Sequence, residues 1–184
     1  MEIVYLFLAE GFEEVEGLTV VDLLRRADMD IKMVSIEESL MVQSSHGVVV
    51  KADMKFEDVD FEHADMIVLP GGMPGTKHLL EHEGLKQKLL EFHREGKMLG
   101  AICAAPMVLG ENGILEGKKA VCYPGFEEHL KGAEVGTWEA VQDGNVITSR
   151  GLGTAIEFGL TIVSHFKGTE KAEKIRKSIM YKVV

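Results

Sequence analysis

Ile3-Val4-Tyr5-Leu6-Phe7-Leu8, followed at once by Ala9-Glu10-Gly11, is the stretch whose reading decides the fold. Six consecutive apolar, β-favouring residues with no polar alternation make a strand buried on both faces, the kind that fills a parallel sheet. After it, Val15, Leu18, Asp22 and Leu23-Leu24 follow helical spacing up to Ala27, where Asp28-Met29-Asp30 breaks the pattern. Ile31–Ile36 is a second strand. Between Leu40 and Lys51, two short runs flank Ser44-Ser45-His46-Gly47, which predicts a small hairpin on the edge of the sheet. Asp65–Leu69 is another buried run, and it stops at Pro70-Gly71-Gly72-Met73-Pro74-Gly75. Leu79–His93 is helical, with Leu85, Leu89 and Phe92 on one face and Gly84 as the expected break. Met98–Ile102 is a short strand, then Cys103, then a small-residue helix from about Ala104 to Asn112. Ala120–Cys122 leads to a turn at Pro124-Gly125, and Val135–Val141 and Asn145–Ser149 flank the hairpin signal Asp143-Gly144. Ile156, Leu160, Val163 and Phe166 share one helical face, and a charged helix runs from Glu170 to about Met180.

Strands alternating with helices predict a mostly parallel sheet covered on both faces, an α/β sandwich of three layers. A chain of 184 residues fits one domain, residues 1–184, and no repeat, low-complexity tract or linker divides it. In such sheets ligands bind beyond the carboxyl ends of the strands. Three loops leave strand ends with unusual residues: Glu10–Glu16, Pro70–Gly75 and Ile102–Pro106.

Lys plus Arg total 20 and Asp plus Glu total 30, a net charge of −10. Duplex binding needs a basic stripe to neutralise phosphates, and no basic run here is longer than Arg25-Arg26 or Lys118-Lys119. Charge-driven nucleic-acid binding is excluded on that ground. Two cysteines, Cys103 and Cys122, are too few for a disulfide framework, and no Cys-x-x-Cys or His-x₃-His spacing near them marks a zinc site. The start Met1-Glu2-Ile3 lacks the basic head of a secretory signal, and no apolar run reaches the ~20 residues of a membrane span. The expected setting is cytoplasmic and reducing, with both thiols free.

Cys103, inside Gly100-Ala101-Ile102-Cys103-Ala104-Ala105-Pro106, stands where a strand ends and a helix begins. Such an elbow presents a side chain into the site, and the amides of the helix start favour a thiolate. A buried small hydrophobe is the alternative. For Cys122, within an apolar run, the core reading is preferred. Pro70–Gly75 fits neither the Walker nor the Gly-x-Gly-x-x-Gly pattern, but consecutive glycines can aim amides at one point and form a nest for an oxyanion. Glu13, Glu14 and Glu16 suit a first helical turn. One of them, crowded by burial, could instead hold a proton and hydrogen-bond the sulfur; sequence does not choose among the three. None of the seven histidines adjoins Cys103, so the imidazole of a Cys–His hydrolase is missing locally, and only the fold could bring His129 close.

Together these loops resemble the ThiJ/PfpI superfamily, most closely its DJ-one/YajL branch. The resemblance rests on Ala9-Glu10-Gly11-Phe12-Glu13-Glu14-Val15-Glu16, Val68-Leu69-Pro70-Gly71-Gly72, Ala101-Ile102-Cys103-Ala104-Ala105-Pro106 and Thr148-Ser149-Arg150-Gly151-Leu152-Gly153-Thr154. The four motifs come in the family's order and span nearly the whole chain. The resemblance implies a flavodoxin-like sandwich of the class I glutamine amidotransferase-like type, a homodimer, and a nucleophile-elbow cysteine. By position Cys103 matches the family's reactive, readily oxidised cysteine, and Glu16 the glutamate bonded to it. Gly72 and Ala104 match the amides of the anion pocket, with Gly71, His46 and Tyr123 as further pocket lining. His46 stands where close relatives carry an arginine reaching in from the partner subunit. Ala104 replaces the histidine that follows the cysteine in PfpI-type peptidases, which disfavours a peptidase. Tyr123 stands where the DJ-one branch carries a histidine near the cysteine. With a pKa of about 10, tyrosine is a poor base, so Glu16 becomes the expected proton carrier.

The function implied is a cysteine-dependent stress-response enzyme acting on reactive carbonyls such as methylglyoxal, as a glutathione-independent glyoxalase or deglycase, with no cofactor and no metal. The alternatives are an oxidative-stress sensor or redox-regulated chaperone with a sulfinate-forming cysteine and, last, a cysteine peptidase or amidase.

Overall fold

The computed structural model describes residues 1–182, so residues 183 and 184 of the expected 1–184 domain lie outside the described residues. In chain order the elements are β1 (Ile3–Leu8), α1 (Glu14–Arg26), β2 (Asp30–Ser35), β3 (Met41–Gln43), β4 (Val49–Lys51), β5 (Met54–Lys55) and β6 (Met66–Leu69). Then come α2 (Gly75–Glu81), α3 (Glu83–Glu95), β7 (Met98–Ile102), α4 (Pro106–Glu111), β8 (Lys119–Ala120) and β9 (Glu134–Val135). The chain continues through β10 (Ala140–Asp143), β11 (Val146–Ser149), α5 (Ala155–Lys167) and α6 (Thr169–Ser178).

Seven strands form one sheet in the order β10-β11-β7-β6-β1-β2-β5. Every neighbouring pair is parallel except β10 with β11. The first strand shows why. Val4, Leu6 and Leu8 face an apolar layer with Leu23 and Leu24 of α1 and Phe158 and Ile162 of α5. Tyr5 and Phe7 face the other layer, with Leu85, Leu89 and Phe92 of α3 and Val108 and Leu109 of α4. β6 divides in the same way, Met66 and Val68 to one layer and Ile67 and Leu69 to the other. Each fully buried side chain of this size contributes roughly 1.5–3 kcal/mol, which fixes strand register because a one-residue slip would exchange the faces. The result is a flavodoxin-like α/β sandwich. Among the described residues no helix is long and apolar enough to cross a membrane.

Four local expectations need correction. The first arm of the last hairpin is Ala140–Asp143 alone, because Val135 pairs instead with Ala120 in a separate two-stranded sheet. The hairpin of β3 and β4 forms its own two-stranded sheet, and β5 is the edge of the main one. It is held by the loop after β1 instead: Gly11 N donates to Gln43 O at 2.8 Å and Ser45 N to Phe12 O at 2.9 Å. In α1, Val15 and Leu18 are exposed and the buried stripe is Glu16, Gly17, Val20, Val21, Leu23 and Leu24. Val15, Leu18 and Asp22 are indeed one helical stripe, but Asp22 marks it as the outward one. Finally, the helical stretch breaks at His82, not at Gly84. His82 has extended backbone (φ −81°, ψ 99°) and caps α3, its side chain accepting from Leu85 N at 3.0 Å. Gly84 is helical, and its missing Cβ leaves room for the Phe56 ring, which would lie 2.9 Å from it.

Because His82 both caps α3 and packs on Phe56 with ring centroids 4.5 Å apart, His82→Ala should cost about 0.5–2 kcal/mol in urea unfolding. Unchanged stability would show that the cap carries no weight.

Candidate active site

β7 delivers Cys103 to the carboxyl end of the sheet. Its backbone takes φ 66°, the left-handed region that a non-glycine residue enters at a cost of order 1–3 kcal/mol. Both its peptide groups are tied down: Cys103 N donates to Ser149 O at 3.0 Å, and Tyr123 N donates to Cys103 O at 2.8 Å. Ala105 N closes the turn onto Ile102 O at 3.0 Å. The sharp turn lets α4 start at Pro106 and leaves the half-buried thiol directed towards the layer of α1 and α5.

There it meets Glu16. The first turn of α1 aims this side chain inward, and only 1% of the residue is exposed. Its carboxyl hydrogen-bonds the Cys103 thiol and accepts from Gly71 N at 2.8 Å. The amides of Gly72 and Ala104 also donate to the sulfur. Gly71 must be glycine, because a Cβ there would sit 2.5 Å from Cys103 Cβ and 2.6 Å from Glu16 Oε2. Gly72 adopts φ 89° and presses so closely on the Gly11–Glu13 backbone that a Cβ would lie 2.4 Å from Glu13 N.

Burial pushes Glu16 up to about 7; the Glu13 carboxylate adds to the push, while the hydrogen bonds from Cys103 and Gly71 oppose it. Burial also pushes the Cys103 thiol up to about 12, helped by the charge and hydrogen bond of Glu16 and opposed by the amides of Ala104 and Gly72. The sequence led to a thiolate favoured by the amides alone. The difference is the buried carboxyl: once Glu16 is ionised, a second negative charge beside it is costly. The two groups titrate as a pair, losing one proton near neutrality and the second only in strong alkali. Between those steps the remaining proton rests mainly on the sulfur and the charge on the carboxylate, a preference that the Gly72 and Ala104 amides oppose.

The remaining expected residues are more scattered. Tyr123 abuts Cys103 through its backbone, while its exposed ring lies near Gly151 and 6.5 Å from the Phe126 ring. His46 is on the β3–β4 turn, with Nδ1 3.2 Å from Glu14 Oε2 and 3.5 Å from Glu13 Oε2, beside the loop and not at the sulfur. His129 accompanies Glu111 at the far end of α4, Nδ1 to Oε1 2.8 Å. Cys122 is buried in the layer opposite to that of the Cys103 side chain. A surface cavity of about 390 Å³ lined by Asp65, Met98, Asn145 and Phe166 opens at the amino ends of β6 and β7, away from the thiol. Sequence reasoning left out Ser149, whose carbonyl fixes the Cys103 amide and whose hydroxyl bonds Thr154 Oγ1 at 2.7 Å. The Thr148–Thr154 motif was the signal available for it.

With this geometry in place, comparison with known proteins is specific. The model of the DJ-1/PfpI family matches residues 2–165. Protein DJ-1 homolog B of Arabidopsis thaliana is 38% identical over 170 residues, 91% of this chain; the chain spans 39% of that relative's length. Protein dj-1beta of Drosophila melanogaster is 35% identical over 175 residues, 94% of each chain. A protein of Pyrococcus horikoshii named as a deglycase is 34% identical over 149 residues, 79% of this chain and 88% of its own. Among solved structures, oxidized DJ-1 of Toxoplasma gondii superposes with a TM-score of 0.95 at 35% identity and covers all of both chains.

The raised Glu16 has a thermodynamic signature. A carboxyl whose folded pKa (about 7) lies above its unfolded value (4.5) stabilises the fold below pH 4.5, and that stability is lost as pH rises towards 7. Wild type should therefore lose about 3 kcal/mol relative to Glu16→Gln between those limits, measured by urea unfolding at each pH. Parallel curves for the two proteins would contradict the assignment.

Proposed function

The chain belongs to the DJ-1/PfpI family, and from that membership and its thiol–carboxyl pair we propose a cysteine-dependent stress-response enzyme acting on small reactive carbonyls. Methylglyoxal is the model substrate, and the activity is of the glutathione-independent glyoxalase or deglycase type. The observation that carries the reading is the Glu16–Cys103 hydrogen bond, with the carboxyl poised near neutrality and two amides on the sulfur. Such a carboxyl can both give and take a proton at working pH.

The chemistry follows from the atoms at hand. The Cys103 thiol gives its proton to the Glu16 carboxylate as the sulfur adds to the aldehyde carbon, and Glu16 passes that proton to the new alkoxide, which leaves a hemithioacetal and a free carboxylate. The Gly72 and Ala104 amides, already pointed at the sulfur, reach the new oxygen with little movement and stabilise its charge. Glu16 takes the proton from the former aldehyde carbon and returns one to the neighbouring carbon, converting the hemithioacetal to a thioester of the 2-hydroxy acid. Water cleaves the thioester to lactate and the free thiol. The sum is methylglyoxal plus water to lactic acid, with no oxidant, metal or cofactor consumed. Local amides matter because the chain's net charge of −10 repels anions at long range.

A second reading has its own observation: the likeness to a structure described as oxidized. The same donors would hold a sulfinate, formed when the thiol reduces two molecules of hydrogen peroxide to water and gains two oxygens. That reading makes Cys103 a redox sensor. The peptidase reading gains no support, since Ala104 follows the cysteine and His129 is engaged by Glu111.

We further propose a homodimer. Val15 and Leu18 of α1 and Met41, Val48 and Val49 of the adjoining hairpin leave an exposed apolar face, of the kind that marks a protein interface. Leu18→Asp combined with Val49→Asp should turn a dimer into a monomer in sedimentation equilibrium. A wild-type monomer at micromolar concentration would dispose of the dimer.

For the activity, the assay is conversion of methylglyoxal to lactate. Glu16→Gln should reduce turnover by roughly 10²–10⁴-fold, and Cys103→Ala should abolish it. Normal turnover in Cys103→Ala would sink the mechanism. For the sensor, intact mass during a peroxide titration should show Cys103 gaining oxygen before any methionine; the reverse order excludes it.

A further inference from the structure

Outside the thiol site, one cluster joins ligand types from two distant segments. Glu13 caps α1, Glu14 begins it, and His46 sits on the β3–β4 turn. One ligand atom from each lies within 4.8 Å of the other two. We propose that Glu13, Glu14 and His46 form a binding site for a divalent first-row transition ion of the zinc type.

Two of the three ligand-to-ligand distances, those from His46, match the edges of a tetrahedral site. With metal–nitrogen and metal–oxygen bonds of about 2.0–2.2 Å, the edges of a tetrahedron are about 3.3–3.6 Å. His46 Nδ1 stands 3.2 Å from Glu14 Oε2 and 3.5 Å from Glu13 Oε2. The second distance is too long for a good charge-assisted hydrogen bond, which is about 2.7–2.9 Å. An ion replacing the proton on Nδ1 would satisfy both carboxylates with little movement of any ligand.

The ligands are also held. Glu13 Oε1 accepts from Val15 N at 3.2 Å, which leaves Oε2 turned towards His46. Ser44, only 5% exposed, hydrogen-bonds the Glu14 carboxylate. Its hydroxyl also accepts from His46 N at 3.3 Å and Val48 N at 3.1 Å, so it braces the turn that carries the imidazole. Partners of this kind orient metal ligands and raise affinity. The Glu13 and Glu14 side chains are 11% and 14% exposed, and among the described residues no lysine or arginine forms an ion pair with either. Two largely buried carboxylates thus share a single partly cationic neighbour. One imidazole and two carboxylates suit zinc and its first-row neighbours better than calcium or magnesium, which prefer oxygen alone. Ser45 Oγ, 3.2 Å from Nδ1, or a water would occupy the fourth position.

Cys103 is a rival zinc ligand, so the test starts from full-length Cys103→Ala and titrates it with zinc ion in a calorimeter. One ion should bind per chain. Adding His46→Ala or Glu14→Gln to that background should weaken binding at least about 10-fold, as loss of a ligand requires. His46 is exposed in the single chain and flanks the proposed dimer face, so circular dichroism verifies the fold of the variant and sedimentation equilibrium its dimer. Absence of zinc binding in Cys103→Ala overturns the proposal, as does an affinity that His46→Ala leaves unchanged. Binding lost only when the thiol is removed would assign the ion to Cys103.

Discussion

A carboxyl and a thiol share a buried hydrogen bond at the carboxyl end of the sheet, and the surrounding structure exists in the form that this contact requires. Glu16 reaches the sulfur because the phase of α1 turns this one first-turn carboxyl inward while Val15 beside it faces out. Cys103 reaches the carboxyl because β7 ends in a left-handed residue whose amide and carbonyl are both tied to neighbouring segments. Gly71 lies between them in a space that no Cβ could share. Few of these positions tolerate exchange, since each is set by the closeness of the others.

Burial gives that contact its chemistry. Two acids placed in a dry pocket cannot both ionise near neutrality, so the pair carries one negative charge and one mobile proton. Amides on the sulfur and an amide on the carboxyl compete for where the charge rests. A pocket of this kind serves either an attacking thiol that needs a proton carrier or an oxidised sulfur that needs donors. The sheet supplies the rigidity for both, and the acidic surface supplies neither.

Much of this was legible in the sequence, and the reasons are local. Ile3–Leu8, Met66–Leu69 and Met98–Ile102 announce buried strands because they carry no charged residue and their residues are apolar at successive positions, so no phase has to be guessed. Asp143-Gly144 announces its hairpin through turn chemistry alone. The elbow at Cys103 was visible from small neighbours and Pro106. What stayed hidden depends on distant partners. Choosing Glu16 over Glu13 and Glu14 requires the phase of α1, and the apolar Val15 and Leu18 on its outer face obscure that phase. Gly84 suggested a helix break, but the glycine is there for the Phe56 ring, which arrives from another segment. The thiol's raised pKa and the meeting of His46 with Glu13 and Glu14 likewise arise from contacts across the fold, for which neighbouring residues carry no sign.

The chemistry of the site depends on Glu16 keeping its proton up to neutral pH. Infrared difference spectroscopy of wild type against Glu16→Gln, followed across a pH titration, reads the protonated carboxyl and the S–H stretch separately. The expected result is a single protonated carboxyl in acid that disappears with a midpoint near 7, accompanied by a change at the sulfur. A Glu16 carboxyl ionised with an ordinary midpoint near 4.5 would contradict the shared proton, and with it the role given to this pair.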